Sequence, residues 1–385
     1  MAYWNITFNP AINQDDLEVI KLLTKIETFC DILKSIPIGQ GLRNEFVKVN
    51  KRPSDFSPGT LKEDIVLRDI KGTAAIEGNT LNTQEINDVI YNDNPQNTQE
   101  QEIINLNSVR IYLERVESKN FDGIITEELL QKINQMILKD IVEDGKTFDG
   151  SYRNYNVIVG KNHRPPEFEI VPQKMKEFIK FINSEYALNL HPMIRAMLAH
   201  FYLVSIHPFG NGNGRTSRAI ESFLFYYYGY SVHGFHSLNN YYYKNYAEYF
   251  SILDHSRFKY SGCLQEFIKF GLKGYLSELQ PIKDSVILFT QKKGYQNYVK
   301  ELYEYGRITA RQYGLIEYFM TSGKVLKESF ILEKNEPILE AFYQKIKSKK
   351  TIQRDLDRLK EEELITINTD KEIYINYNLM EQFTN

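Results

Sequence analysis

Cysteine is almost absent from this 385-residue chain: Cys30 and Cys263 are the only two, and neither sits in a CxxC pattern. That excludes a disulfide framework and a thiolate zinc knuckle, and it fits a reducing compartment. No Cys/His cluster has metal-ligand spacing. No apolar run approaches the ~18–20 residues that span a bilayer, so no membrane partner is expected. The opening MAYWNITFNP has no basic n-region and no apolar h-region, so no secretory signal is read there and the cytoplasm is the expected setting. A GxxxxGK[ST] phosphate loop is missing. So is an excess of one charge: 47 Lys and Arg against 50 Asp and Glu leave −3, which argues against wholesale coating of nucleic acid. Repeats and low-complexity tracts are also absent. The composition that remains, 42% hydrophobic and 25% charged, is that of an ordinary globular chain long enough for two or three domains.

Helical periodicity fills most of the chain. One helix is predicted over 16–33. In Leu61–Ile76, Leu61, Ile65, Ile70 and Ala74 fall near helical spacing, and Gly78-Asn79 supplies a stop. Asn82 and Glu85 stand at capping-box spacing for the next helix. Residues 92–99, with Pro95, read as a loop, and two more helices fill 100–140. The stretch 151–170 differs: YNVIVG and then Pro165-Pro166 predict a short surface hairpin. The helix 193–206, opened by Pro192, is apolar nearly all round and is expected to be the buried central helix. Another follows over about 215–228, ended by Gly229, and further helices fill 240–280. A separate module is expected from about 285. Thr309 and Gln312 cap its first helix, which ends by Gly323; a second covers about 336–346. A third, about 350–361, carries Ile352, Leu356 and Leu359 on one face, and the strands LITIN and EIYINY follow. Three helices and a hairpin in this order read as a winged helix. The expected fold is mainly α: an N-terminal helical region over 1–95 that includes a helix at about 61–78, a helical core over 96–280 with a small hairpin flap, and a winged-helix module over 285–385.

Chemistry concentrates in HPFGNGNGRTSR, residues 207–218. Gly210, Gly212 and Gly214 alternate with Asn211 and Asn213 at the start of a helix, where glycine lets the backbone approach a ligand. Successive N–H groups in such a turn form a nest for an anion, and the helix N-terminus adds partial positive charge. Arg215 and Arg218 in the first turn oppose the helix dipole and call for an anionic partner such as a phosphate chain. His207 stands just before the nest, where a general base would meet a nucleophile. The bland alternative is a glycine-rich turn with His207 capping a helix. The joint presence of His, two Asn, three Gly and two Arg within twelve residues weighs against it.

These residues resemble the Fic motif, H-x-F-x-[D/E]-G-N-G-R-x-x-R, at all but one defined position, and the likeness extends over about 60–275. The resemblance implies a Fic-type helical bundle and transfer of AMP from ATP to Tyr, Thr or Ser hydroxyls of a target protein or of the chain itself. It implies that His207 is the base and that Phe209 anchors the loop. Gly212, Asn213 and Gly214 would hold the α- and β-phosphates, Arg215 the leaving pyrophosphate, and Arg218 the γ-phosphate. The flap, about 154–166 with Val157, Ile158 and Val159, would dock the target by strand addition. Tyr249 is expected near adenine. Asn211 departs from the motif: relatives carry Asp or Glu there as the Mg²⁺ ligand, and an amide oxygen binds the metal without the charge.

TAAIEGN at 73–79 is similar to the family's inhibitory motif, [S/T]-x-x-x-E-[G/N]. Carried over, Glu77 pairs with Arg218 and excludes the γ-phosphate, with Thr73 fixing its helix. In some relatives the same Glu supports removal of AMP, so a reverse activity is an alternative. Release of Glu77 could couple to a homodimer interface. His200 reads as a satisfied core histidine and His163 as an exposed flap residue. A rival from another class rests on Lys345, Lys347, Lys349, Lys350, Arg354 and Arg358, a basic face on which the winged helix would bind DNA while the core senses nucleotide.

Overall fold

The computed structural model describes residues 6–35, 61–118, 121–143, 145–160, 163–231, 238–258, 264–322, 326–333 and 349–383. The helix expected over 336–346, Gly323, Cys263, Lys345 and Lys347 lie outside them. The chain divides into two units, Met1–Lys283 and Asp284–Asn385. The first carries α1 (Leu17–Ser35), α2 (Leu61–Ile76), α3 (Thr83–Asn92), α4 (Thr98–Ser118), α5 (Glu127–Ile137), α6 (Val171–Ile182), α7 (Glu185–Leu188), α8 (Pro192–Ile206), α9 (Asn213–Tyr227), α10 (Leu238–Lys244) and α11 (Tyr246–Phe258). The boundary falls within α12 (Gln265–Glu304), just after Pro281.

Pro192 begins α8 where its missing N–H costs nothing, and every residue from Met193 to Ile206 is buried. An all-round apolar helix can be accommodated only when neighbours cover every face. Arg195, 1% exposed in the first turn of this helix, shows how its one full charge is tolerated. It donates to Ile182 O, Gly123 O, Asn183 Oδ1 and the Tyr228 hydroxyl, so the guanidinium ties together the loop before α5, the end of α6 and the end of α9.

Helix α2 packs on α10, α4 and α9 in the same unit. Gly72 permits this approach: a Cβ there would stand 2.5 Å from the Asn239 carbonyl carbon. The expected capping box is formed at α3, where Asn82 Oδ1 accepts from Gln84 and Glu85 N–H and Glu85 Oε2 accepts from Asn82 N–H.

The second unit has its own core, with Leu315, Ile331, Ile352, Leu356, Leu359 and Ile365 among its buried residues. Its elements are α13 (Ala310–Ser322), β1 (Leu326–Lys327), α14 (Glu328–Leu332), α15 (Lys349–Glu361), β2 (Ile365–Ile367) and β3 (Glu372–Ile375). Thr309 and Gln312 cap α13 reciprocally. The strands form an antiparallel sheet in the order β1-β3-β2, with Leu326 opposite Ile373 and Thr366 opposite Tyr374. On α15, Lys349, Lys350 and Arg354 are exposed, while Arg358 is taken up by Glu361 and Glu362.

Candidate active site

At the end of α8 the chain must leave the core abruptly. His207 takes a left-handed conformation, φ 52°, uncommon for a residue with a side chain and costing roughly 1–3 kcal/mol unless its surroundings hold it. Arg153, 5% exposed, provides the hold. Its Nε donates to His207 O at 2.9 Å, its Nη1 to Tyr155 O at 2.9 Å and its Nη2 to Pro166 O at 2.5 Å. Asn213 clamps the loop from the other side, accepting from Phe209 N–H and donating to Phe209 O, both at 2.9 Å. Phe209 is buried against Tyr152. Asn134 adds a third tie, its Nδ2 donating to Asn211 O at 2.9 Å and to Thr216 Oγ1 at 3.1 Å. Gly212 has φ 76° and lies where a Cβ would be 2.9 Å from Asn134 Nδ2. It is the N-cap of α9 and offers no side-chain oxygen. The first-turn N–H groups of Asn213, Gly214 and Arg215 therefore keep their need for an acceptor, as an anion site requires.

The chain already supplies the anions for both arginines. Arg218, 1% exposed, donates Nε to Thr73 Oγ1 at 2.9 Å, and Nη2 to Thr73 O at 3.1 Å and Glu77 Oε1 at 2.7 Å. Burial works to raise the Glu77 carboxyl, but Arg218 and Arg215 outweigh it and the net direction is down. Gly214 makes room for this carboxylate, because a Cβ there would be 2.4 Å from Glu77 Oε1. Arg215 donates Nη1 to Glu102 Oε1 and Nη2 to Asn211 Oδ1 at 3.0 Å. The other Glu102 oxygen accepts from Asn79 Nδ2 at 2.8 Å, and Asn79 lies just past Glu77. Glu102 was not singled out in the sequence, yet it falls in phase with Leu106, Val109 and Leu113 on the buried stripe of α4, and a carboxylate in an apolar stripe is a signal.

His207 is half-buried, and burial pushes its imidazole down to about 4, with Arg257 and Arg153 adding to the lowering and the Val204 carbonyl opposing it. Its Nδ1 lies 3.3 Å from Val204 O, which makes Nδ1 the protonated nitrogen and leaves Nε2 as the acceptor. At the loop's outer edge Asn211 Nδ2 donates to Glu143 Oε2 at 2.6 Å. Among the described residues no group of three His, Cys, Asp or Glu side chains could hold a metal alone.

Residues 124–225 match the Fic/DOC family. Over 175 residues, 42% of this chain, the sequence is 31% identical to Protein adenylyltransferase Fic of Drosophila melanogaster and to that of Drosophila willistoni. The chain spans about a third of the length of these curated relatives, 33% and 32%. In fold it resembles a Fic family protein from Desulfovibrio desulfuricans G20, with TM-score 0.54, 16% identity, 96% of this chain and 98% of the other covered. It also resembles Fic-1 from C. elegans, with TM-score 0.53, 21% identity, 69% and 72% covered. The Fic match runs from just before α5 to near the end of α9, so it contains His207 and the glycine loop; Glu77 and Glu102 lie N-terminal to it.

One expectation changes, that for His163. The short hairpin expected within 151–170 is present in minimal form: Val159 and His163 exchange N–H···O bonds at 2.9 and 3.2 Å, and Tyr152 bridges Phe209. Beside this pair Arg153 takes the carbonyls of Tyr155 and Pro166, and Asn156 Oδ1 takes Phe168 N–H, so side chains hold the rest of the flap. Val157 and Val159 are partly buried on it and Ile158 is exposed. His163 is buried, not exposed: its Nε2 lies 2.9 Å from Ser205 O, and burial drives its basicity far down. Tyr249 is 1% exposed, beside Arg218, with its hydroxyl 2.8 Å from His200 Nε2. His200 in turn lies 3.0 Å from Glu221, which also accepts from Tyr242, so Tyr249, His200, Glu221 and Tyr242 form a buried network beside Arg218.

Proposed function

We propose that this chain transfers AMP from ATP to a hydroxyl group of a protein and that Glu77 holds it closed. The 2.7 Å pair between Arg218 and Glu77 at the glycine loop carries the reading, because Arg218 can serve Glu77 or a γ-phosphate but not both. His207 Nε2, unprotonated at neutral pH, accepts the proton of the target hydroxyl. The oxygen forms its bond to the α-phosphorus as the bond to the β-phosphate oxygen breaks, and pyrophosphate leaves. The N–H groups of Gly212, Asn213 and Gly214 steady the α- and β-phosphates, and Arg215 receives the charge of the departing pyrophosphate. At the loop edge the Glu143 carboxylate and, once its amide turns from Arg215, Asn211 Oδ1 would hold Mg²⁺ completed by substrate phosphates, and the metal would offset phosphate charge there. The names of the Drosophila relatives support AMP transfer, although the match covers only part of them.

The test is intact mass after incubation with ATP and Mg²⁺ for wild type, Glu77→Gly and Glu77→Gly/His207→Ala, with lysate supplying targets. Gain of the mass of AMP by Glu77→Gly alone, on itself or on a target, is the expected result. No gain by any of the three would sink the transferase reading and leave the nucleotide-sensing DNA regulator as the account to pursue.

A further inference from the structure

A cavity of about 110 Å³ lies between α2, α4 and α9, with Arg215 and Thr73 in its wall. Ile70, Leu106, Val109, Leu113 and Phe223 give it apolar walls. One water needs only ~10–15 Å³ by the same measure, so the space suits a single-ring molecule.

Its polar end is unfinished. Asn239, 3% exposed, already gives Nδ2 to Asp69 Oδ2 at 2.9 Å. That leaves Asn239 Oδ1 and Asp69 Oδ1, two buried acceptors on residues already bonded to each other, with no hydrogen-bond partner among the described residues, and Arg215 Nε, 6% exposed as a residue, is likewise unmatched there. The charges on the wall decide what they want. Arg215 is neutralised by Glu102, and Arg110 by Glu114 at 2.7 Å, so the uncompensated charge belongs to Asp69. Two acceptors and one negative charge match a planar pair of N–H donors bearing positive charge. An aromatic face would serve Arg215 Nε as a weak acceptor.

We propose that this cavity binds a small organic cation with an aromatic or apolar body and at least two N–H donors, an amidine or a substituted guanidine. Thr73, which holds Arg218, lines the same cavity, so an occupant touches the helix that ends directly before Glu77. Burial pushes the Asp69 carboxyl up to about 7, with Glu278 adding to the rise and Asn239 and Arg218 opposing it. The other charged groups facing the cavity are Arg215, Arg110 and Glu114. A permanently charged ligand therefore binds the ionised form and gains affinity as pH rises through that value.

The probe is benzamidine, titrated calorimetrically into the full chain, with neutral benzamide as control. Saturable benzamidine binding, absent for benzamide, is expected to strengthen ~tenfold from pH 6 to pH 8 and to weaken at least ~tenfold in Asp69→Asn, which keeps the size of the side chain. If that variant does not fold, Ala219→Leu, which fills the cavity from α9, is expected to abolish binding. Absence of binding, equal binding of benzamide, or undiminished binding in these variants would overturn the proposal and assign the cavity to water. The readout is binding alone, so failure of AMP transfer leaves this test intact.

Discussion

Glu77 and Glu102 do related work at one site with different leverage. Glu77 is partly exposed, its side chain 30% accessible, and it can swing away without stranding a buried charge of its own. A charge-assisted hydrogen bond of this kind contributes about 2 kcal/mol, so Glu77→Gly is expected to tighten ATP binding ~30-fold, read by titration with a non-hydrolysable analogue. Glu102 is almost fully buried, and Arg215 has little else to turn to. Glu102→Gln is expected to lower nucleotide-free stability by ~3 kcal/mol, since removing one partner of a buried pair leaves the other charge unmet. Pyrophosphate should restore more of the Tm in that variant than in wild type, because it supplies the missing anion. The same scale sets the pH behaviour of His207. An ordinary imidazole loses base function below ~6.5, but burial holds this one near 4, so AMP transfer by Glu77→Gly should stay high through pH 5.5 and fall only near 4. Loss of Glu77 lowers the imidazole further, since its carboxylate works to raise it. An acid limb at 6.5 would remove His207 from the role of base. Glu77 and His207 were legible because each sits in a short run of chemically unusual neighbours. Glu102, Arg153 and Glu143 were not, because each reaches the loop across dozens of residues of sequence.

Elements were more legible than their contacts. Pro192, the Asn82 and Glu85 pair, and the Thr309 and Gln312 pair act within one turn of backbone, and local chemistry of that kind is visible in sequence. The flap pairs only at Val159 and His163, because Arg153 and Asn156, from within the same loop, take backbone partners on either side. His163 was misplaced because what buries it is Ser205 at the far end of α8. The seating of α2 depends on a position that sequence gives little reason to choose. Gly72 meets backbone of Asn239 and Asn240, which cannot shift as the end of a side chain can. Gly72→Ala is therefore expected to lift α2 from α10, with an overpacking cost of ~1–3 kcal/mol. Because α2 carries Thr73 and ends directly before Glu77, Tm should fall while AMP transfer rises. A lower Tm with no gain in transfer would mean that α2 is packing only, and that closure of the site lies elsewhere.

At the scale of the whole chain, the two units make different readings separable. Each has its own buried core, and domains with separate cores unfold as separate events. Among the described residues no helix is long and apolar enough to cross a membrane. Chain length allowed two or three domains, and a module from about 285 was read from its capped helix and the alternating strands after 364, but one helix on which the winged-helix reading depends lies outside the described residues. Two transitions are expected on heating Glu77→Gly. A ligand that binds one folded unit stabilises that unit alone, by ~2.7 kcal/mol at a hundredfold excess over Kd. ATP should therefore raise only the transition of residues 1–283, which hold the glycine loop. Duplex DNA poses the opposite question to residues 284–385. On α15 Lys349, Lys350 and Arg354 are exposed, but Arg358 is spent on Glu361 and Glu362, and Asp357 stands among them. Non-specific DNA affinity follows the number of phosphates a protein can neutralise and falls steeply with salt. Among the described residues of that face only Lys349, Lys350 and Arg354 stay exposed and unspent, and on their account random duplex at physiological salt is expected to leave the second transition where it was. A DNA-dependent rise of that transition, lost at higher salt, would restore the regulator reading for this unit while leaving the ATP shift of the first to stand on its own.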